Sequence, residues 1–582
     1  MKRINKLYKK LVFAIVFISG IFFTSCTDYL TIIPPSVVVH EDFWKNEAEV
    51  NGMVATVYLT LSNSGSLSNA IFWGETRAET VDYPAGSGNE QLKFITEGLL
   101  YDDNGYASWS NYYKAINYCN LVLEYGPLVM AKDPNFSEGD MQIIEGQMKA
   151  LRAYAHFVLL RAFCNIPLAT TAVLSDAEIP EYRQAHPMEA LKVIYADLVD
   201  ASTKVLLSGQ ANPSNLGYVT TNAVYAMMAD VNMWQAAFAK YYVEIDGTYT
   251  PEFTSDEYYN MAIENCNKIL VAMDKIHEDH YFNKNEKTFA YNLLQNTASL
   301  EAAKKGACTI YEQIFGAQNS RESIFEFQID DTNHSNSSGI SSAYGSNNKG
   351  GGLYVVQENW LADIYEDDDL RQYVFTTKTV PNPDGSSSGG SNNVVNETFV
   401  AKYKAENSPT EYGNDNRTYR SSNDFDANWI VYRKTDIMLM MAEAMLSRSV
   451  APEEDIKEAF NMTEAINKRW RMDTTDIKNK LEFDDYKEQS KCLTLVRDER
   501  VRELCFEGRR WYDIVRMALQ GEETAFSYNK KRHGIDEEEM LRRYNHISAY
   551  FMPIHKDEIR FNPLLIQNKS CKSSENSSIE QN

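Results

Sequence analysis

Cysteine is rare in this chain of 582 residues: there are 8, and no two stand in a C-x2-C pair. That absence excludes the common zinc knuckles and thioredoxin-type redox motifs. Setting Cys26 aside leaves an odd seven, which does not indicate a disulfide framework. Cys119, Cys164, Cys266 and Cys505 stand in apolar helical contexts, where a thiol acts as a small hydrophobe. Basic residues are also in deficit, 57 Lys and Arg against 81 Asp and Glu, with no concentrated basic stripe. A surface of that sign repels phosphate backbones, so no nucleic-acid partner is expected. Catalytic signatures are missing as well: there is no H-E-x2-H, phosphate loop, dinucleotide fingerprint or Ser-His-Asp motif. No apolar run is long enough to span a bilayer, since the run from Leu11 to Phe23 has only 13 residues.

That short run belongs to a leader. Lys2, Arg3, Lys6, Lys9 and Lys10 precede it, and Thr24, Ser25 and Cys26 come directly after it. The pattern is a signal peptide over residues 1–25. Its end resembles a bacterial lipobox, with Phe23 departing from the usual leucine-like residue, and the resemblance implies that the Cys26 thiol is acylated. Two or more acyl chains hold a protein stably on a bilayer, so the mature chain is expected to be tethered through Cys26 rather than inserted. Without the five positive side chains of the leader the formal charge moves from −24 to −29.

Helical periodicity dominates the chain after Cys26. Apolar stripes run over 48–61, 109–123, 144–162, 187–207, 220–240 and 256–274, with small residues such as Ala150, Ala153, Ala223 and Ala229 at contact positions. Paired helices with small contact residues suggest stacked tetratricopeptide-like units, although no regular 34-residue period is present. Residues 71–94, polar, aromatic and glycine-containing, read as loop. Residues 322–328 read as a strand, and two Ser/Gly/Asn-rich segments, 330–352 and 381–396, bracket a short helical stripe containing Trp360. Trp429 to Leu446 and Pro452 to Trp470 read as a further helix pair.

The most constrained stretch is Leu493 to Met517, LTLVRDERVRELCFEGRRWYDIVRM. It reads as one helix with an apolar face through Val501, Leu504, Trp511 and Ile514, broken at most once. Asp498 with Arg502, Glu507 with Arg510 and Arg509 with Asp513 are spaced for intrahelical ion pairs. Glu499 and Glu503 need arginines from elsewhere. Gly508 marks either an interruption or a close approach. Glu503 and Glu507 share a face, the arrangement an acid/base pair would need, but arginines surround them and a structural salt-bridge lattice is the plainer reading.

The string ER-x2-EL-x-FEG-RRW-x-DI-x-R, carried by Glu499, Arg500, Glu503, Leu504, Phe506, Glu507, Gly508, Arg510, Trp511, Asp513 and Arg516, resembles the C-terminal signature of the SusD/RagB family of lipid-anchored nutrient-binding proteins. Arg433, Asp436, Leu439, Ala442, Glu443 and Ala444 resemble its R-x2-D-x-L-x2-AEA helix, and YFMPIHKDEIRFNPLLIQN, residues 550–568, resembles its closing motif with His555 in place of a proline. The resemblance implies a mainly α fold of tetratricopeptide-like hairpins, with a helical region at 26–320, a loop-rich region with short strands at 321–568 and a disordered tail at 569–582. It further implies an outer-membrane lipoprotein that captures an oligosaccharide, or a peptide, and passes it to a TonB-dependent β-barrel transporter. Ligand contacts are expected from Trp73, Arg77, Asp82 and Tyr83, and from Tyr344, which flanking Ser, Gly and Asn leave without apolar neighbours.

No cofactor is implied. His277 and His280 share one helical turn but have no evident third ligand. Glu366 to Asp369 lack the spacing of a calcium loop and read as a solvated turn, so structural calcium is not indicated. A surface hydrolase and a helical interaction scaffold stand as alternatives from other functional classes.

Overall fold

Capping residues set the first helices of the body. Asn46 and Glu49 form a reciprocal capping box at the start of α1 (Glu47–Ser62). Asn63 ends α1 and caps α2 (Ser64–Glu75) through its side chain. The coordinates come from a computed structural model that describes residues 43–573 except 85, 175–179, 209–215, 281–289, 330–338, 346–351, 379–396, 411–415, 422–424, 474–479 and 523–536. The chain divides into a leading piece, Met1–Lys45, and a body, Asn46–Asn582. Cys26 and its leader lie outside the described residues, as does most of the tail.

The body is a layered array of helix hairpins. α3 (Ser110–Met130) packs on α4 (Glu138–Phe163), α4 on α5 (Pro187–Ser202), α5 on α6 (Thr221–Lys240) and α6 on α7 (Ser255–His280). Beyond residue 320 the stacking continues: α8 (Lys434–Ser447) lies against α7, α9 (Glu453–Arg469) and α10 (Gln489–Leu504). α11 (Arg510–Leu519) packs on α2 and α6. The fold is therefore mainly α and tetratricopeptide-like, as expected. α6 is buried over almost its full length and α8 from Lys434 to Leu446, which places both at the centre, with no solvent-facing stripe to speak of. Ala223, Ala226, Ala229, Ala236 and Ala237 let the neighbours of α6 approach closely.

Strands are short and come in pairs. β1 (Ser323–Phe327) runs antiparallel to β2 (Trp429–Arg433). Val81–Asp82 pairs with Val355–Val356, and Thr376–Lys378 with Thr398–Val400. Two expectations are corrected by this. Trp429 to Leu446 is a strand followed by a helix, because Trp-Ile-Val-Tyr suits a pleated buried surface better than a helical turn. The 71–94 segment is only partly loop: α2 extends through Glu75, Val81–Asp82 is a strand and Glu90–Thr96 a helix capped by Asn89. The cysteines of the body are free, and Cys119, Cys266, Cys308, Cys492 and Cys505 are buried. Among the described residues no helix is long and apolar enough to cross a membrane.

Candidate ligand-binding site

The conspicuous signature is two helices joined by a strained turn. α10 ends at Leu504, and Phe506 and Gly508 take positive φ of 66° and 69° before α11 begins. The interruption and the close approach are both present: a Cβ on Gly74 would stand 2.0 Å from the Gly508 carbonyl oxygen. Because the helix breaks, the pairs expected of Glu507 with Arg510 and of Arg509 with Asp513 do not form, whereas Asp498 and Arg502 lie on unbroken α10 and attract without a close ion pair. Arg502 pairs with Glu499, Arg510 with Glu79, and Asp513 with Arg500 and Arg516.

The carboxylates of α10 instead receive arginines from distant elements. Glu503, fully buried, accepts hydrogen bonds from Arg433 (2.7 Å), Arg469 (2.9 Å), Arg371 (3.2 Å) and the Trp470 indole (2.7 Å). Glu499 accepts from Arg371 at 2.6 Å, and Glu507 from Arg433 and Lys402, 2.7 and 2.6 Å away. Lys402 also donates to the carbonyls of Glu503 and Cys505 and so caps α10. Burial alone would raise these acids. Arg371 and Arg502 nevertheless hold Glu499 down to about 2, and Arg433, Arg469 and Arg371 hold Glu503 far below the usual carboxylate range. Carboxylates so engaged have neither a transferable proton nor an open face, and the lattice is structural.

What the signature turn positions is the segment after α2. Glu75 accepts from the backbone N–H groups of Gly508 and Arg509 and from the Thr80 hydroxyl. Burial pushes its carboxyl up to about 7 in spite of those bonds. Arg77 lies 4.3 Å over the Trp511 ring, donates to the Ala549 carbonyl, and is pushed down to about 10 by burial. Trp73 is sealed between Tyr112 and Phe163 and donates to the Tyr106 carbonyl. Neither Trp73 nor Arg77 shows a face to solvent, so their role in this conformation is to hold the segment, and direct ligand contact by either is corrected. Asp82 accepts from the Gln357 amide at 2.8 Å and from the Tyr83 N–H, and half-buried Tyr83 reaches Glu97. The Thr76 hydroxyl meets Tyr354 at 2.6 Å. Segments 275 residues apart, at Asp82 and Gln357, thus form one rim. Tyr354 and Gln357 carry no sequence signal for this; only the fold brings them there.

Tyr344 corrects a further expectation. It is fully buried at the end of the short helix Gly339–Tyr344 and donates to the Phe506 carbonyl at 3.0 Å. Its ring packs on Phe506 and Tyr354, so its apolar neighbours come from other parts of the chain rather than from adjacent sequence. The acidic turn is not solvated throughout either: Asp369 is buried against Arg371, and Glu366 and Asp368 bind Arg471. The side chains of His277 and His280 lie outside the described residues. Among the described residues no three His, Cys, Asp or Glu are grouped to hold a metal ion.

Comparison with known proteins agrees with this architecture. A family model described as the SusD family matches residues 371–570, and one described as starch-binding associating with outer membrane matches residues 45–233, together well over half of the chain. SusD-like protein P2 of Formosa agariphila is 23% identical over 523 residues, covering 85% of this chain and 88% of its own. SusD-like protein P38 of the same organism is 26% identical over 215 residues, 37% of this chain and less than half, 41%, of that relative. A solved laminarin-binding SusD-like protein shares the fold with a TM-score of 0.58 at 18% identity, over 90% of this chain and 99% of the other. The signature turn, the arginine lattice around it and both family matches lead to one conclusion: this chain belongs to the SusD/RagB family.

Proposed function

We propose that this protein is an outer-membrane lipoprotein, anchored through Cys26, that binds an oligosaccharide at the cell surface without altering it and hands it to a TonB-dependent β-barrel transporter. Family membership and the shared fold with a laminarin-binding protein support a glycan ligand. The observation that carries binding over turnover is the state of Glu503, the best acid/base candidate in the sequence, whose carboxylate is consumed by three arginines and an indole. The rim formed by Asp82 and Tyr83 is where the ligand is proposed to rest, its sugar C–H faces on the tyrosine ring. The test is calorimetric titration of the full chain with laminarin and other neutral glucans, followed by product analysis. Tyr83→Ala is expected to weaken binding by about 1 kcal/mol with no product formed by either protein. A product that vanishes when one carboxylate is replaced would establish the hydrolase instead. Recovery of a large β-barrel protein on gentle detergent extraction tests the hand-off.

A further inference from the structure

A second hollow, lined by none of the 71–94 segment, opens among α5, α6 and α7. Its volume is about 490 Å³, within the range of small-molecule sites. Its walls are aromatic: Tyr195, Tyr249, Phe253 and Tyr258 line it. They are held in place rather than loosely exposed. After the wide turn Tyr241–Asp246, Gly247 at φ 68° sends the chain back over the helices. The Tyr249 ring then stacks on His186 at 4.3 Å and 13°, and Phe253 meets Tyr258 edge-on at 5.6 Å.

The floor is polar and directional. Asn265 donates through its amide to Asn232 (3.0 Å), and Asn232 donates to the Gln235 side-chain oxygen (2.8 Å). All three are at least nine-tenths buried. This chain of carboxamides ends at Gln235, which lines the hollow and whose own amide N–H groups make no hydrogen bond to the described residues. Donors linked this way polarise one another, so the last amide is a strong donor awaiting an acceptor oxygen. At the mouth Lys192 and Glu252 pair at 2.9 Å, both exposed, and cancel each other's charge.

We infer that this hollow is a second carbohydrate site, taking one or two neutral pyranose rings: C–H faces against the tyrosine and phenylalanine walls, a ring or hydroxyl oxygen on the Gln235 amide, outer hydroxyls at Lys192 and Glu252. A charged ligand finds no uncompensated partner there, and a wholly apolar one would cover the Gln235 amide without pairing it. The probes are maltose, cellobiose and laminaribiose at millimolar concentration, read on the full chain by saturation-transfer NMR and titration. At least one is expected to bind. Gln235→Leu is expected to weaken it about tenfold, the loss of one good hydrogen bond. Since that change also strands the Asn232 amide, Ala196→Trp, at an exposed lining position, is the second variant. It fills the hollow and is expected to abolish this binding with the melting temperature unchanged, while Tyr83→Ala leaves it intact. If none of the three sugars binds, or if Ala196→Trp binds them as the parent does, the inference is overturned. Binding that Tyr83→Ala removes and Ala196→Trp spares overturns this site while leaving the glycan-binding reading standing.

Discussion

The two halves of this body use opposite chemistry to solve the same packing problem. Between α4 and α7 the helices meet mostly through alanines and aliphatic side chains, with contacts such as Leu151, Leu191 and Ala229 fully buried, and polar links are few, among them Arg152–Asp197, Arg161–Asp230 and the Asn265–Asn232–Gln235 chain. Around α10 and α11 the contacts are buried charges: Arg371, Arg433 and Arg469 converge on Glu499, Glu503 and Glu507, all with side chains at most 1% exposed. Apolar faces are interchangeable and slide, whereas each guanidinium fork fits one carboxylate in one orientation. The charged half is therefore the half that fixes where the signature turn, and with it the segment 75–84, is held.

That contrast is testable by removing one member from each half. Arg433→Ala leaves Glu503 and Glu507 short of a buried partner and is expected to lower stability by roughly 3–5 kcal/mol. Leu151→Ala is expected to cost roughly 2–4 kcal/mol as a cavity. Chemical denaturation at two pH values separates the causes. Glu499 and Glu503 hold protons less readily folded than unfolded. Their contribution is thus complete above the ordinary value of 4.5 and is lost as pH falls through about 2 for Glu499 and further still for Glu503, the partner of Arg433. The Arg433→Ala deficit should shrink in that window and the Leu151→Ala deficit should not. Equal deficits at both pH values would show that the lattice acts only as packing.

The turn itself gives the next largest effect. With a Cβ at Gly74 placed 2.0 Å from a backbone carbonyl, no rotamer relieves the contact. Gly74→Ala is expected to cost about 3 kcal/mol, the upper end for overpacking. A thermal melt within a degree of the parent would mean that α2 and the turn can part freely. Glu75 then sharpens the comparison, because its titration runs opposite to that of Glu499. Its carboxyl is raised from 4.5 to about 7, so it holds its proton more readily when folded. The stability it contributes is present below pH 4.5 and is lost as pH rises through 7. Glu75→Gln should abolish that decline, worth roughly 3 kcal/mol, and leave the acid limb from Glu499 and Glu503 in place.

Much of this was legible in the residues. The helix pairs follow from the 3.6-residue stripes, and the need of Glu499 and Glu503 for outside arginines follows from their spacing. What escaped is what depends on long-range contact. The intrahelical pairs at Glu507 and Arg509 assumed a continuous helix, and the positive φ at Phe506 and Gly508 removed that register, while Arg502 takes Glu499 rather than Asp498 as its close partner within α10. Trp429 to Arg433 looked helical because a short apolar run has no period of its own, and only its pairing with Ser323–Phe327 decides it. At the rim, Asp82 stood in a segment singled out from sequence, but Gln357 arrives from 275 residues away and no local pattern announces it.

Tyr344 is where that limit was sharpest, and it supplies the smallest and most discriminating test. Serine, glycine and asparagine around it suggested an exposed platform, yet its hydroxyl donates to the carbonyl of Phe506, the residue that begins the strained turn. Trp360 also packs on Phe506, edge-on at 5.9 Å, so both aromatics serve the same joint rather than one serving a ligand and the other the core. Tyr344→Phe keeps the ring and deletes one buried hydrogen bond, so the expected loss is about 1 kcal/mol of stability. Binding of a glucan at the Tyr83 rim should be unchanged, because the ring still fills its place against Tyr354. Tyr344→Ala removes the ring too and should cost roughly 3–5 kcal/mol, close to Trp360→Ala. If Tyr344→Phe were as stable as the parent while its affinity fell, the hydroxyl would be touching ligand, and the buried position of this residue would have to be abandoned.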